Sequence, residues 1–453
     1  MNAKAFSLFI FSILAVACQA DSPGAGATPT NLSPVDMSYT EADYQDLRLA
    51  DSLLYDKILG SLVGSAIGDA MGAPTEMWHY DDISEAYGYV DSLDLVLREP
   101  SPEGPWDFNL PPGAGTDDTR WKDLMVRFAL AEHDLRARGK ALQMSPVRFA
   151  AFLNQRYESL IEDLKATEGP APEPFEDNMR RITWLQEWTR VSRAYAAGDI
   201  DVYRDALARF YGGEMACAGM LYAPVLGAVY PGQPLAAYRT GYDLALFDIG
   251  YARDVTGLTA ALTAVAFQPE ARLDTFAAVL RDVDPQGFFR SRLLGRLAYK
   301  QYQQARAIVR EAKRLTVDEQ RAMSFRLPDN YPYDSLHYAQ TLHAYRLLTK
   351  AQQDAPFHAG EIHLINLTAL LFSELDFPRA MEFITNYGRD NDTVAAVTGA
   401  ILGALHGFQA LPEAERERVM EVNREVLNID LEALARRLTD AVLARRPRPE
   451  LPQ

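Results

Sequence analysis

The stretch "GSLVGSAIGDAMGAPTE", residues 60–76, carries a glycine at every fourth position and closes on a proline and a glutamate. A spacing of four lays Gly60, Gly64, Gly68 and Gly72 along one face of a helix. Each glycine costs about 1 kcal/mol relative to alanine in a helix interior. Four on one face therefore point to the close approach of another backbone. The membrane-dimer reading of this spacing fails, because Asp69 lies inside the run and the apolar length is short for lipid. Tight helix packing alone accounts for the stripe equally well, and Glu76, beyond Pro74 in a loop, has solvated surface as its ordinary reading.

Outward from this stretch, apolar residues recur at helical spacing in "WKDLMVRFALAEHDLRARG", "PVRFAAFLNQRYESLIEDL" and "LTALLFSELDFPRAMEFITNYG". Sustained two-residue alternation is rare. Pro- and Gly-rich breaks such as "EPSPEGPWDFNLPPGAG" punctuate helices without dividing regions of different composition. The pattern predicts one all-α domain over residues 40–440, with no solenoid repeat. A charged, amphipathic helix pair follows from "LPEAERERVMEVNREV" onward, and a disordered tail is expected over 441–453.

Two short acidic clusters interrupt this helical text. In "LPPGAGTDDTRW", Thr116, Asp117, Asp118 and Thr119 precede a helix expected to begin at Trp121 or slightly before. In "GRDNDTVAAVTGAILGALHG", residues 388–407, Asp390, Asn391, Asp392 and Thr393 open a helix of very small side chains. Capping and the helix dipole explain one acid at each start. Neither explains a run of them. Carboxylates and hydroxyls without His or Cys suit a hard cation such as Mg²⁺ or Mn²⁺. The two-residue spacing of Asp390 and Asp392 lets both reach one site from one loop.

Taken in order, "GSLVGSAIGDAMGAPTE", "GTDDT" and "GRDNDTVAAVTGAILGALHG" resemble the motifs of the ADP-ribosylglycohydrolase family, over most of residues 50–410. The resemblance implies a single orthogonal multi-helix bundle with a cleft holding two Mg²⁺ or Mn²⁺ ions. It carries the metal ligands over to Thr116, Asp117, Asp118, Asp390, Asp392 and Thr393, and a catalytic role to Glu76 and Asp117. Gly115, Gly219 and Met220 are the expected substrate-contacting positions. The implied reaction is cleavage of an N- or O-glycosidic bond of an ADP-ribosyl or related ribosyl substrate.

The chain departs from the family where ADP would be held. The counterpart of an Asn-Gly-x-x-Met-Arg segment is "GGEMACAGMLYAPVLGAVYPG", residues 212–232, with Leu221 in place of the arginine. Where a Thr-His pair is usual, the chain reads "ALFDIGYARDVTG"; Asp248 and Asp254 are either substitutes or helix caps. A small riboside is the alternative substrate, and a non-catalytic role like that of J1-type crystallins is the alternative function. Retention of all six ligand-type residues weighs against the latter.

Cys217, in "EMACAGM", has no histidine near it in sequence, so packing outweighs a nucleophilic role. The seven histidines are scattered without ligand spacing. Any of Trp78, Trp106, Trp121, Trp184 and Trp188 has the chemistry to stack on a base, although tryptophan is more often core or rim.

A net charge of −17 and the absence of a Lys/Arg cluster exclude ordinary nucleic-acid binding. "MNAKAFSLFIFSILAVA", residues 1–17, has the charge and short apolar run of a signal peptide. Cys18 follows directly, as in a bacterial lipobox, although Ala15 stands where leucine is preferred; cleavage after Ala17 or Ala20 is the competing reading. Residues 18–39 read as the lipidated cysteine and a Pro/Gly/Ser-rich tether. The expectation is an exported monomeric lipoprotein that meets the membrane only through its N-terminal lipid.

Overall fold

The computed structural model describes residues 49–97, 109–137, 144–166 and 184–445. The expected signal peptide, Cys18, the tether and Trp106 lie outside the described residues, as does the end of the tail from residue 446. Among the described residues there is no strand, only isolated bridges such as His79 with Gly388. The all-α expectation holds.

The helices run α1 (Asp51–Gly72), α2 (Tyr80–Tyr87), α3 (Asp117–Ala137), α4 (Pro146–Ala166), α5 (Gln186–Ala197) and α6 (Ile200–Leu207) in the first half. The middle holds α7 (Ala223–Val229), α8 (Pro234–Leu244), α9 (Ala252–Ala266), α10 (Leu273–Asp282), α11 (Leu297–Lys313) and α12 (Val317–Arg321). The rest are α13 (Ser335–Thr349), α14 (Ala359–Phe372), α15 (Phe377–Thr385), α16 (Asn391–His406), α17 (Glu413–Val426) and α18 (Leu431–Leu443). Helix α3 begins at Asp117, earlier than Trp121, so the acids form its first turn. Helix α18 continues to Leu443 with Ala441 and Val442 buried, past the expected domain edge at 440.

The centre of the molecule is the pair α1 and α16, both buried along almost their whole length. The glycine stripe makes that pairing possible. A Cβ on Gly64 would stand 2.5 Å from the Gly399 carbonyl oxygen, and one on Gly399 would collide with the Gly64 carbonyl. Gly60 and Gly403 face each other in the same reciprocal way. At the site end of the stripe, a Cβ on Gly72 would stand 2.5 Å from the Asp392 backbone nitrogen. Backbones this close bring the C-terminal end of α1 beneath the first turn of α16.

At the opposite end Lys57, buried on α1, donates to the carbonyls of Ala404 at 2.8 Å, Leu405 at 2.7 Å and Ala266 at 3.2 Å. Its ammonium satisfies carbonyls left open at the C-termini of α16 and α9. Burial pulls its pKa down to about 8. The expected C-terminal pair is present as α17 and α18, which turn Val419, Val422, Asn423, Leu431, Leu434, Ala435 and Leu438 inward.

Candidate metal centre

The first acidic loop is built around Asp69. This buried carboxylate, one turn before the end of α1, accepts the Thr116 N–H at 2.9 Å, the Thr116 hydroxyl at 2.6 Å, the Thr119 N–H at 3.0 Å and the Thr119 hydroxyl at 2.5 Å. Four donors converge on one side chain, so the start of α3 is held to the end of α1. Burial, and then the charge of Asp118, push Asp69 up to about 6 against those hydrogen bonds. Gly115 leaves room for this anchor: a Cβ there would collide with the Thr119 hydroxyl and stand 2.9 Å from Asp69 Oδ2. Asn423 of α17 accepts the Gly115 N–H at 3.0 Å and donates to the Gly113 carbonyl at 3.0 Å.

The second loop is stitched to the segment after Glu76. Met77 N–H donates to the Arg389 carbonyl at 2.6 Å, and Arg389 N–H returns to the Trp78 carbonyl at 2.9 Å. Met77 and Arg389 both adopt left-handed backbone, with φ of 68° and 64°. Two non-glycine residues held there mark a backbone conformation that the surrounding contacts impose. Asn391 donates to Thr75 Oγ1 at 2.8 Å and to the Thr385 carbonyl at 3.0 Å, and Arg389 is anchored outward on buried Glu361 at 2.7 Å.

The outcome is a carboxylate triad: one ligand oxygen each from Glu76, Asp390 and Asp392 lies within 4.8 Å of the others. Asp390 and Asp392 are buried, and Glu76 is partly exposed. Asp392 Oδ1 is buried with no hydrogen-bond partner. A buried carboxyl oxygen without a donor, on an acid grouped with two further carboxylates, fits a divalent cation, and the donor set is oxygen only. Thr393 donates to Asp118 Oδ2 at 3.0 Å, which ties the two loops together across the bundle. Thr116 gives its hydroxyl proton to Asp69 and accepts the Asp118 N–H at 3.3 Å, leaving a lone pair for a cation.

The electrostatics agree. Burial, then Glu76, push Asp390 up to about 7. Asp392 is held well above the usual carboxylate range by burial, then by Glu76, Asp390 and Asp118. Asp117 is raised in the same way by burial, then by Asp118 and Glu76. Acids from three chain segments share one buried field that added positive charge would relieve.

The other expectations fall differently. Gly219 donates its N–H to Asp248 at 2.9 Å, and Asp248 also accepts the Thr256 hydroxyl at 2.6 Å. Met220 is fully buried in the hydrophobic core. Asp254 lies in the first turn of α9, paired with fully buried Arg296 at 2.7 Å and hydrogen-bonded by Tyr238. Both Asp248 and Asp254 therefore have structural partners. Cys217 is buried with Sγ 3.8 Å from Asp390 Oδ2, and burial, then Asp390, push its thiol up, which is wrong for a nucleophile. Trp121, Trp184 and Trp188 pack into one aromatic cluster, whereas Trp78, beside the triad in sequence, is 38% exposed.

Sequence reasoning gave no role to Asp69, Lys122 or Asn423. Asp69 was visible as an acid inside a glycine-striped helix, where an isolated charge must find donors. Lys122 ion-pairs with Asp118 at 2.7 Å and is as buried as its partner; its position one turn beyond Asp118 was the available signal.

A family model described as ADP-ribosylglycohydrolase matches residues 50–448. Among solved structures, one similar chain, titled an ADP-ribosylglycohydrolase-related protein complex, is 19% identical, with a TM-score of 0.49. The match covers 86% of this chain and 99% of that one. No curated protein matches this chain in sequence. With the match spanning nearly the whole described domain, the chain belongs to the ADP-ribosylglycohydrolase family and is an all-helical hydrolase of the glycosidase class.

Proposed function

We propose that this chain hydrolyses the N- or O-glycosidic bond of an ADP-ribosyl or related ribosyl substrate, in a reaction that depends on two divalent cations, Mg²⁺ or Mn²⁺. The observation that carries the cation requirement is the buried, unpartnered Oδ1 of Asp392, an acid grouped with Glu76 and Asp390. Bound cations would orient vicinal ribose hydroxyls, acidify a water and offset charge that builds up during bond cleavage. Asp390, Asp392 and Thr393 would hold them from the second loop, and Thr116, Asp117 and Asp118 from the first.

Glu76 is the partly exposed carboxylate of the triad, on a loop fixed by the Met77–Arg389 and Trp78–Arg389 hydrogen bonds. It can reach solvent and substrate while Asp390 and Asp392 stay buried, which suits it to move a proton at the anomeric carbon. Asp69, fully buried, holds Thr116 and Thr119 in place. Trp78, two residues beyond Glu76 and 38% exposed, is the tryptophan with the accessibility to stack on a base.

Leu221, in the position where the family pattern has an arginine, is 5% exposed. It supplies no charge for a diphosphate, which favours a small riboside as the second substrate reading. The protein acts as an exported monomer held to a membrane through lipid on Cys18.

The test incubates the purified chain with Mg²⁺ or Mn²⁺ and arginine- and serine-linked ADP-ribose, O-acetyl-ADP-ribose and nucleosides. Ribose-linked product from at least one substrate, abolished in the Asp117→Asn/Asp392→Asn double variant and by chelator, is expected. Product release unchanged in that double variant would refute the assignment.

A further inference from the structure

The connection between α10 and α11 is held at both ends yet leaves apolar side chains in water. Asp284 accepts the N–H groups of Phe288 and Phe289, both at 2.9 Å. At the far end Arg296 is fully buried and paired with Asp254 at 2.7 Å. Between these anchors Leu293 is 93% exposed and Leu294 55%, beside exposed Phe289, Arg290 and Arg292. Apolar side chains gathered on a held segment mark a contact surface.

Ring contacts carry that surface onto α11. Phe289 meets Tyr299 edge-on with centroids 5.3 Å apart, Tyr299 meets Tyr302 at 5.7 Å, and the Arg306 guanidinium lies 5.7 Å over Tyr302. Tyr299, Gln303, Arg306, Arg310 and Lys313 then recur at spacings of four and three, which sets them on one face of the helix. Arg306, Arg310 and Lys313 line a cavity of about 500 Å³ with Val309 and Leu371, and no acid is among its lining residues. Arg310 and Arg314 line an adjoining cavity of about 390 Å³, where Glu311 meets His343 at 3.2 Å and Glu319 caps with Thr316. Among the described residues, Arg290, Arg292, Arg306, Arg310 and Arg314 enter no ion pair. Residues 290–314 hold eight Lys or Arg and one acid, Glu311, in a chain of net charge −17. These cations form no run in the sequence, and only the helix gathers them.

We propose that this face, the Leu293–Leu294 tip together with the Arg306–Arg314 row, docks on a membrane surface of anionic phospholipid. Leu293 and Leu294 enter the headgroup boundary, and Arg290 and Arg292 meet phosphates beside them. A lipid phosphate seats between Arg306, Arg310 and Lys313, with its glycerol against Val309 and Leu371. Free phosphate or nucleic acid would satisfy the arginines but leave both leucines in water, whereas a bilayer covers both. The acidic remainder of the surface is repelled by the same lipid. Screening over about 8 Å leaves the nearest face in control, so docking selects one orientation. The inference depends neither on the hydrolytic reading nor on lipid at Cys18.

The experiment uses the full chain with Cys18→Ser, which removes the acceptor for a lipid anchor. It is co-sedimented with vesicles of phosphatidylcholine alone or with about one-third phosphatidylglycerol. Binding at least about tenfold tighter to the anionic vesicles, and weaker as salt rises, is expected. Leu293→Ser/Leu294→Ser and, separately, Arg306→Gln/Arg310→Gln/Arg314→Gln should each lower that affinity by about tenfold or more. All five side chains are exposed, so thermal melts of the variants should match that of the parent chain. Any contribution of residues 1–48 is common to every variant and drops out of these ratios. Equal binding to both kinds of vesicle, or an affinity that either variant leaves unchanged, would overturn the inference. Tight binding of inorganic phosphate to the arginine row, with vesicle binding insensitive to the leucine pair, would assign the row to a free anion and overturn it as well.

Discussion

Gly64 and Gly399, from the first and the sixteenth helices, meet back to back: a Cβ on either would press into the carbonyl of the other. The contact is backbone against backbone, so no side-chain rotamer can relieve an added methyl. Gly64→Ala gains helix propensity of about 1 kcal/mol but must separate α1 from α16. A net loss of about 2 kcal/mol in unfolding free energy is expected by chemical denaturation. The same separation moves Gly72 away from Asp392, so Mn²⁺ affinity should fall in parallel; an unchanged affinity would uncouple the stripe from the site.

Asp69→Asn tests the anchor of the first loop. An asparagine has one acceptor oxygen, and its amide would point protons at donors from Thr116 and Thr119. Loss of about 2 kcal/mol of stability is expected, with Mn²⁺ affinity lowered on the order of 10- to 100-fold, as for residues that orient metal ligands. Calorimetric titration beside thermal melts separates the two effects.

The pH response follows from the raised carboxyls. Asp390 titrates at about 7 in the folded chain against 3.8 as its ordinary value, so between these values the folded state binds more protons than the unfolded one. Its contribution to stability is therefore fullest below about 4 and is lost as pH rises through about 7. In chelator, the melting temperature should fall from pH 5 to pH 8. Mn²⁺ needs the ionised carboxylate, so its affinity should weaken roughly tenfold for each pH unit below that value per proton displaced. Added Mn²⁺ should consequently raise the melting temperature far more at pH 8 than at pH 5.

Asn423→Leu removes the partner of the Gly115 N–H and of the Gly113 carbonyl inside the protein. Two buried backbone groups left unpaired predict a loss of about 2–3 kcal/mol. A ring of hydrogen exchange should open at Gly115 and Thr116 while α16 keeps its protection. Protection unchanged at Gly115 would show that α17 does not support the loop.

The sequence by itself determined the helical class, the three segments that build the site and the oxygen-only chemistry they offer. Those signals are local: a glycine period of four, acids gathered at helix starts, and small residues from Ala395 to Gly407. It also determined that a second backbone must come close to Gly60, Gly64, Gly68 and Gly72. Only the tertiary structure decided which helix that is, and that Glu76, Asp390 and Asp392 share one cation-sized space whereas Asp118 is shared between Lys122 and Thr393. It alone gave Asp248 and Asp254 their partners, Gly219 and Thr256 for the first and Arg296 for the second. The physical reason is that periodicity reports the face a residue occupies, while a carboxylate's role depends on which donors surround it. Asn423 meets Gly115 across 308 positions and Thr393 meets Asp118 across 275, and no local pattern encodes such a meeting.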